Sequence, residues 1–368
     1  MPRVPAALIF KTCFRKSSPD FSSHQFRHNS VPIYSQRFLR NGVSGRVFVV
    51  DCEDMELSGC GTALVTPFLS NGDVDWHALQ SLVRWQIESG IHFLVPTGST
   101  GEACALLESE WLRLVSVVVE AAEGRVPIFV GCSHNTSRQA IDRVKKLQAI
   151  PGVDGVLTAN PYYTKPTQEG QYLHFRAIAE NTHLQVLLYN IPSRTGINLL
   201  PETTARLAEI PNVVGIKESS GNLQQITEVV HAVPDHFKVF AGDDNLALPI
   251  LSVGGAGVIS VAANAIPAQM TRMTEAALNH DWTLARQLYR KYYPLIIGNF
   301  IEPNPQPVKC VLALMGRIQE EYRLPMMPVV PKNKAHLEKL VHELGLLEPL
   351  SAGKPPVTAV AAVASPHA

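Results

Sequence analysis

The chain has 368 residues, 46% apolar and 17% charged, with 32 basic and 32 acidic residues and no formal net charge. That balance argues against a polyanion partner, and no basic stripe with interleaved aromatics is present, so no nucleic acid is expected. No apolar run approaches the ~20 residues that span a bilayer, so no membrane partner is expected either.

Residues 1–54 are rich in Arg, Ser, Phe and His, and Asp20 is the only acid before Asp51. This composition resembles an organelle transit peptide. Compact patterning begins directly after Met55, so the segment is read instead as an upstream extension, disordered or non-native, and excluded from the fold. The expected compartment is the cytoplasm, or an organelle stroma on the transit-peptide reading. Cys13, Cys52, Cys60, Cys104, Cys132 and Cys310 form no C-x-x-C pair. Reduced thiols are expected, not a disulfide framework or a zinc site. Residues 349–368 are Ala/Pro-rich without a period and are expected to be disordered.

From residue 58 to 300 a short apolar, β-branched run recurs, followed by a turn and a stretch of helical period. The runs are "TALVTPF" (62–68), "HFLVPTG" (92–98), "PIFVG" (127–131), "GVLTANP" (155–161), "VLLYNIP" (186–192), "VVGIKES" (213–219), "KVFAGDD" (238–244) and "GVISVAAN" (257–264). They are continuously apolar, as strands buried on both faces are. Amphipathic helices fit at 75–90, 109–124, 137–150 and 222–233. Eight strand–helix units predict a (β/α)8 TIM barrel over residues 55–300, with additional C-terminal helices over 301–348. A doubly wound sheet is weakened because no G-x-G-x-x-G follows the first strand. "GGAG" (254–257) precedes a strand and reads as a turn, not a phosphate loop.

A barrel of this kind places its site at the C-terminal ends of the strands. Lys217 ends "VVGIK", and Tyr189 ends the preceding strand in "LLYN". Alone, such a lysine reads as one snorkelling to solvent. A phenol at the adjacent strand end turns the reading toward chemistry. An amine attacks a ketone only when neutral, and a dry barrel mouth disfavours the ammonium. The resulting imine is an electron sink that needs no metal. No H-x-H or H-E-x-x-H cluster occurs among the 13 histidines, so no cofactor is expected. Thr66, Ser99 and Thr100 follow the first two strands and supply hydroxyls. "GSTGE" (98–102) is either an ordinary turn or an anion cradle near the following helix N-terminus. Arg194, just past the Tyr189 strand, suggests a fork for a carboxylate. Tyr162 and Tyr163 follow the fourth strand.

"GSTGE", "NPYYTKPTQEG", "YNIPSRTG", "GIKESSGN", "AGDD" and "GVISV" resemble, in order and spacing, the 4-hydroxy-tetrahydrodipicolinate synthase (dihydrodipicolinate synthase) family of the N-acetylneuraminate lyase superfamily. The resemblance runs from about Cys60 to Leu347. It implies that Lys217 forms the imine with pyruvate and that Tyr189 transfers protons. It implies that Ser99 and Tyr163 complete a proton relay, with Tyr163 reaching a neighbouring subunit's site. Thr100, Ile259 and Gly242 fall at pyruvate-binding positions, and Arg194 at the site entrance that holds the second substrate's carboxylate. The implied substrates are pyruvate and L-aspartate 4-semialdehyde, joined in the first committed step toward diaminopimelate and lysine. The implied assembly is a homotetramer, a dimer of dimers.

One departure concerns the family's lysine-inhibition site. Asn135 and Tyr162 are kept, but Gln139 stands at a glutamate position, and Glu108 and Trp111 at the two helix positions. Loss of a charge at Gln139 predicts weak feedback. Two rival readings are another pyruvate-dependent class I aldolase (a 2-keto-3-deoxy sugar acid aldolase or N-acetylneuraminate lyase) and an inactive barrel. Arg194 argues against the first, and the intact Lys217, Tyr189 and Arg194 against the second.

Overall fold

In the computed structural model, residues 57–347 are described. The 1–54 extension, Cys13, Cys52 and the 349–368 tail lie outside the described residues. The eight apolar runs form eight parallel strands: β1 (Gly59–Ala63), β2 (Phe93–Val95), β3 (Phe129–Gly131), β4 (Gly155–Ala159), β5 (Gln185–Asn190), β6 (Val213–Glu218), β7 (Lys238–Ala241) and β8 (Gly257–Ser260). The sheet order is β2-β1-β8-β7-β6-β5-β4-β3. A parallel bridge between Leu94 and Ile128 joins its two ends and closes the barrel. The Leu94 and Gly131 amides donate across this seam to Pro127 and Pro96 at 3.0 and 2.9 Å.

The twelve helices among the described residues are α1 (Trp76–Glu88), α2 (Glu108–Ala122), α3 (Ser137–Leu147), α4 (Gln168–Ala179), α5 (Pro192–Thr195), α6 (Pro201–Ala208), α7 (Leu223–Ala232), α8 (Ala247–Ser252), α9 (Pro267–Leu278), α10 (Trp282–Gly298), α11 (Gln306–Leu314) and α12 (Pro331–Glu343). Their starts follow from side-chain caps. Asp75, Thr136, Thr167, Asn222 and Asp281 each accept a bond from a backbone N–H in the first turn, satisfying a donor the helix itself cannot. The barrel's eighth helix is α9; α10, α11 and α12 follow it, and α10 packs on α9 and α12.

The first strand differs from expectation. It spans 59–63, not 62–68, because the strand opens on Gly59, Cys60 and Gly61, ahead of the apolar run. A Cβ at Gly61 would lie 2.2 Å from the Phe93 ring, so only glycine admits that ring to the lumen. Phe93 packs edge-on against Phe129 and Phe240, with centroids 6.2 and 5.5 Å apart. Leu157, Leu187 and Ile259 join them to fill the lumen, while a larger apolar layer lies between strands and helices. Burial of both faces is why the runs read as continuously apolar.

Candidate active site

Lys217 lies on β6 directly across from Tyr189 on β5 and Phe240 on β7. Side chains alternate along a strand, so all three enter the lumen at one level. Lys217 is 5% exposed. Its Nζ sits 4.5 Å from the centre of the Tyr189 ring. Gly242 follows β7, where a Cβ would lie 3.1 Å from Lys217 Cε and 1.9 Å from Ser219 Oγ. The absent side chain leaves the lysine stem its path. Ile259 lies buried in the lumen cluster on β8. Asp243 follows Gly242; burial raises its carboxyl above the usual range, and the charge of Lys217 counteracts this.

The "GSTGE" segment is a tight turn. Gly101 and Glu102 donate their amides to Gly98 and Ser99 at 3.1 and 3.2 Å. Of the two readings this is the ordinary turn: the segment does not abut a helix N-terminus, as the anion cradle required. A 3-10 turn (Ala103–Ala105) intervenes and α2 begins only at Glu108, because Glu102 turns inward with φ +51°. Glu102 instead forms a buried ion pair with Lys309 of α11, 2.6 Å apart. The Lys309 ammonium also lies 4.3 Å from the Phe68 ring centre. Burial lowers its pKa, and Glu102 opposes that. Thr66 donates to the Gly101 carbonyl at 2.6 Å. Thr100 is buried, whereas Ser99 is exposed at the rim.

The C-terminal segment reaches this turn, which the sequence did not indicate. Asn304 Nδ2 donates to Thr100 Oγ1 at 2.9 Å, and the Asn304 carbonyl accepts from Arg194 Nη2 at 2.9 Å. One residue thereby spans the hydroxyl turn and the arginine. The only local signal is that Glu302, Asn304, Gln306 and Lys309 interrupt the prolines and apolar residues of "EPNPQPVKCVLAL".

Tyr162 is half-buried, but Tyr163 is 86% exposed, with φ +75°. Within one chain the structure therefore brings together Lys217, Tyr189, Gly242 and Ile259, with Thr100 and Arg194 linked through Asn304. It leaves Tyr163 facing outward. At the three departing positions, Glu108 pairs with Lys146 at 2.5 Å and Gln139 accepts from Thr136 at 3.0 Å. Trp111 is buried, with the Arg143 guanidinium 5.5 Å from its ring centre.

A closed (β/α)8 barrel with a lysine and a tyrosine paired in its lumen is the construction of a class I aldolase-type lyase. The profile of the Dihydrodipicolinate synthetase family matches residues 56–344, and the chain belongs to that family. It is 55% identical to the 4-hydroxy-tetrahydrodipicolinate synthase of Acidobacterium capsulatum over 294 residues, 80% of this chain and 97% of that protein. The crystal structure of dihydrodipicolinate synthase from Thermotoga maritima is 41% identical, with a TM-score of 0.78, covering 79% of this chain and 100% of that one. The chloride-inhibited enzyme of Acinetobacter baumannii, solved in complex with pyruvate, is 39% identical with a TM-score of 0.77, covering 79% and 99%.

Proposed function

We propose that the chain condenses pyruvate with L-aspartate 4-semialdehyde through an imine on Lys217. The Lys217–Tyr189 pair in the lumen carries this reading, within a family whose relatives bear that activity in their names. The neutral amine adds to the pyruvate ketone, and loss of water leaves the iminium. Loss of a methyl proton gives the enamine, with the iminium nitrogen taking the electron pair. The enamine carbon attacks the aldehyde. The bound adduct's own amine then attacks the iminium carbon, closes the ring and releases Lys217. Tyr189 is the proton donor and acceptor, with Ser99 and the Tyr163 of a second copy completing the relay. Thr100, Gly242 and Ile259 line the pyruvate site, and Arg194 receives the carboxylate of the second substrate. No cofactor enters this sequence.

The exposure of Tyr163 supports a homo-oligomer in which this side chain enters a neighbouring site, and we extend this to a dimer of dimers. Cys60, Cys104, Cys132 and Cys310 are free thiols, which suits the reducing cytoplasm. Among the described residues no helix is long and apolar enough to cross a membrane.

Borohydride reduction in the presence of pyruvate tests the imine, with a mass adduct expected on Lys217. Condensation rates with L-aspartate 4-semialdehyde and with glyceraldehyde test the second substrate. Absence of the adduct would overturn the imine, and a preference for glyceraldehyde would favour a sugar-acid aldolase.

A further inference from the structure

The outer faces of β5 and β6 carry a second polar cluster, one residue beyond the lumen pair. Asn190 and Glu218 are register partners, as Tyr189 and Lys217 are. Alternation sends the first two toward the helix layer and the other two into the lumen. Both outer residues are buried. Asn190 Nδ2 donates to Glu218 Oε1 at 2.5 Å and to Asn198 Oδ1 at 2.8 Å. Asn190 Oδ1 accepts the Leu199 amide at 3.0 Å. Gln225 of α7 joins the same cluster, exchanging bonds with Asn198 at 2.7 and 3.1 Å and approaching Glu218 Oε1 at 3.4 Å. The Ser220 amide faces the other carboxylate oxygen at 3.4 Å.

Asn198 and Leu199 end the short segment that begins at Pro192 and carries Arg194. At its other contact, Arg194 rests on the Asn304 carbonyl. We propose that Glu218 is a positioning residue for the condensation: through Asn190 and Gln225 it ties the ends of β5 and β6 to the Asn198–Leu199 stretch, and so fixes where Arg194 stands relative to Lys217. The inference rests on the roles given above to Lys217 and Arg194. A buried carboxylate is costly unless satisfied, so one kept on an outer strand face is held by the partners it organises. Apolar packing alone does not require it: Ile216 faces the same layer two residues earlier.

The test compares Glu218→Ala and Glu218→Gln with the unsubstituted full chain. Glu218→Ala should lower kcat/KM for the aldehyde substrate by about 100-fold, the scale of a misplacement near 1 Å. Borohydride trapping of pyruvate alone should proceed close to the unsubstituted rate, since Lys217 keeps its own strand. Glu218→Gln, whose amide oxygen still accepts from Asn190, should recover most of the loss. The inference is overturned if Glu218→Ala leaves aldehyde use unchanged. It is also overturned if trapping and aldehyde use fall in the same proportion, as a folding defect would give, or if Glu218→Gln is as impaired as Glu218→Ala. If the unsubstituted chain traps no pyruvate, the reading of Lys217 fails and the inference falls with it.

Discussion

Lys217 and Tyr189 are register partners on adjacent strands, and the amine lies 4.5 Å from the centre of the phenol ring. Removal of the phenol oxygen should therefore separate proton transfer from imine formation. Tyr189→Phe keeps the ring and its packing, so pyruvate should still be trapped on Lys217 by borohydride. The condensation rate should fall about 10²- to 10⁴-fold, the usual contribution of a positioned acid or base. A variant with unchanged turnover would remove Tyr189 from the mechanism.

Arg194→Ala should act on the second substrate. A charge-assisted bond to a carboxylate contributes about 1.5–3 kcal/mol, so kcat/KM for the aldehyde should drop roughly 10- to 150-fold. Pyruvate trapping should be unaffected. Loss of trapping in this variant would show that Arg194 belongs to the pyruvate site.

The Glu102–Lys309 pair should matter for stability more than its chemistry suggests. Lys309→Met leaves Glu102 buried without its counter-charge, which costs about 3–5 kcal/mol. Substituting Glu102→Gln in the same chain removes the stranded charge and should recover part of that loss. Urea unfolding of the two variants checks the order; equal stability would mean that water reaches Glu102.

Glu218 and His174 should give opposing pH dependences. Burial lifts Glu218 from 4.5 to about 7 and lowers His174 from 6.5 to about 4. The folded chain thus holds the Glu218 proton more tightly than the unfolded chain, and this contribution is full below pH 4.5 and lost as pH rises through 7. The His174 contribution is full above pH 6.5 and lost as pH falls through 4. Each amounts to about 3 kcal/mol between its limits. Acidification from pH 7 to 5 should therefore destabilise Glu218→Gln more steeply than the unsubstituted chain, and His174→Asn less steeply. Parallel urea-unfolding results at the two pH values would contradict both assignments.

Lysine should inhibit weakly. Glu108 is engaged by Lys146, Gln139 carries no charge, and Trp111 fills its position with a buried ring. No free carboxylate among these three awaits an ammonium. Half-maximal inhibition at submillimolar lysine would refute this.

The barrel was legible because a strand buried on both faces writes a continuous apolar run, and eight such runs alternate with helical period. The side-by-side placement of Lys217 and Tyr189 was legible because each stands near the end of a run on neighbouring strands. The first strand was misplaced because it opens on Gly59 and Gly61, which add nothing to an apolar run, although Gly61 is what admits Phe93 to the lumen. Asn304 and Lys309 escaped notice because their partners Thr100 and Glu102 lie 204 and 207 residues away in the chain. No local period records such a contact. Glu218 was hidden by its neighbour: in "VVGIKE" the lysine drew attention to the lumen, whereas the carboxylate serves the opposite face.

The ion pair between Glu102 and Lys309 joins a turn made early in synthesis to a helix made late. All eight strands precede residue 261, so a nascent chain can close its cylinder before α11 leaves the ribosome. At that moment Glu102 lacks its cation and Thr100 lacks Asn304. The polypeptide would be a barrel without a finished mouth, completed only when the stretch holding Asn304 and Lys309 follows.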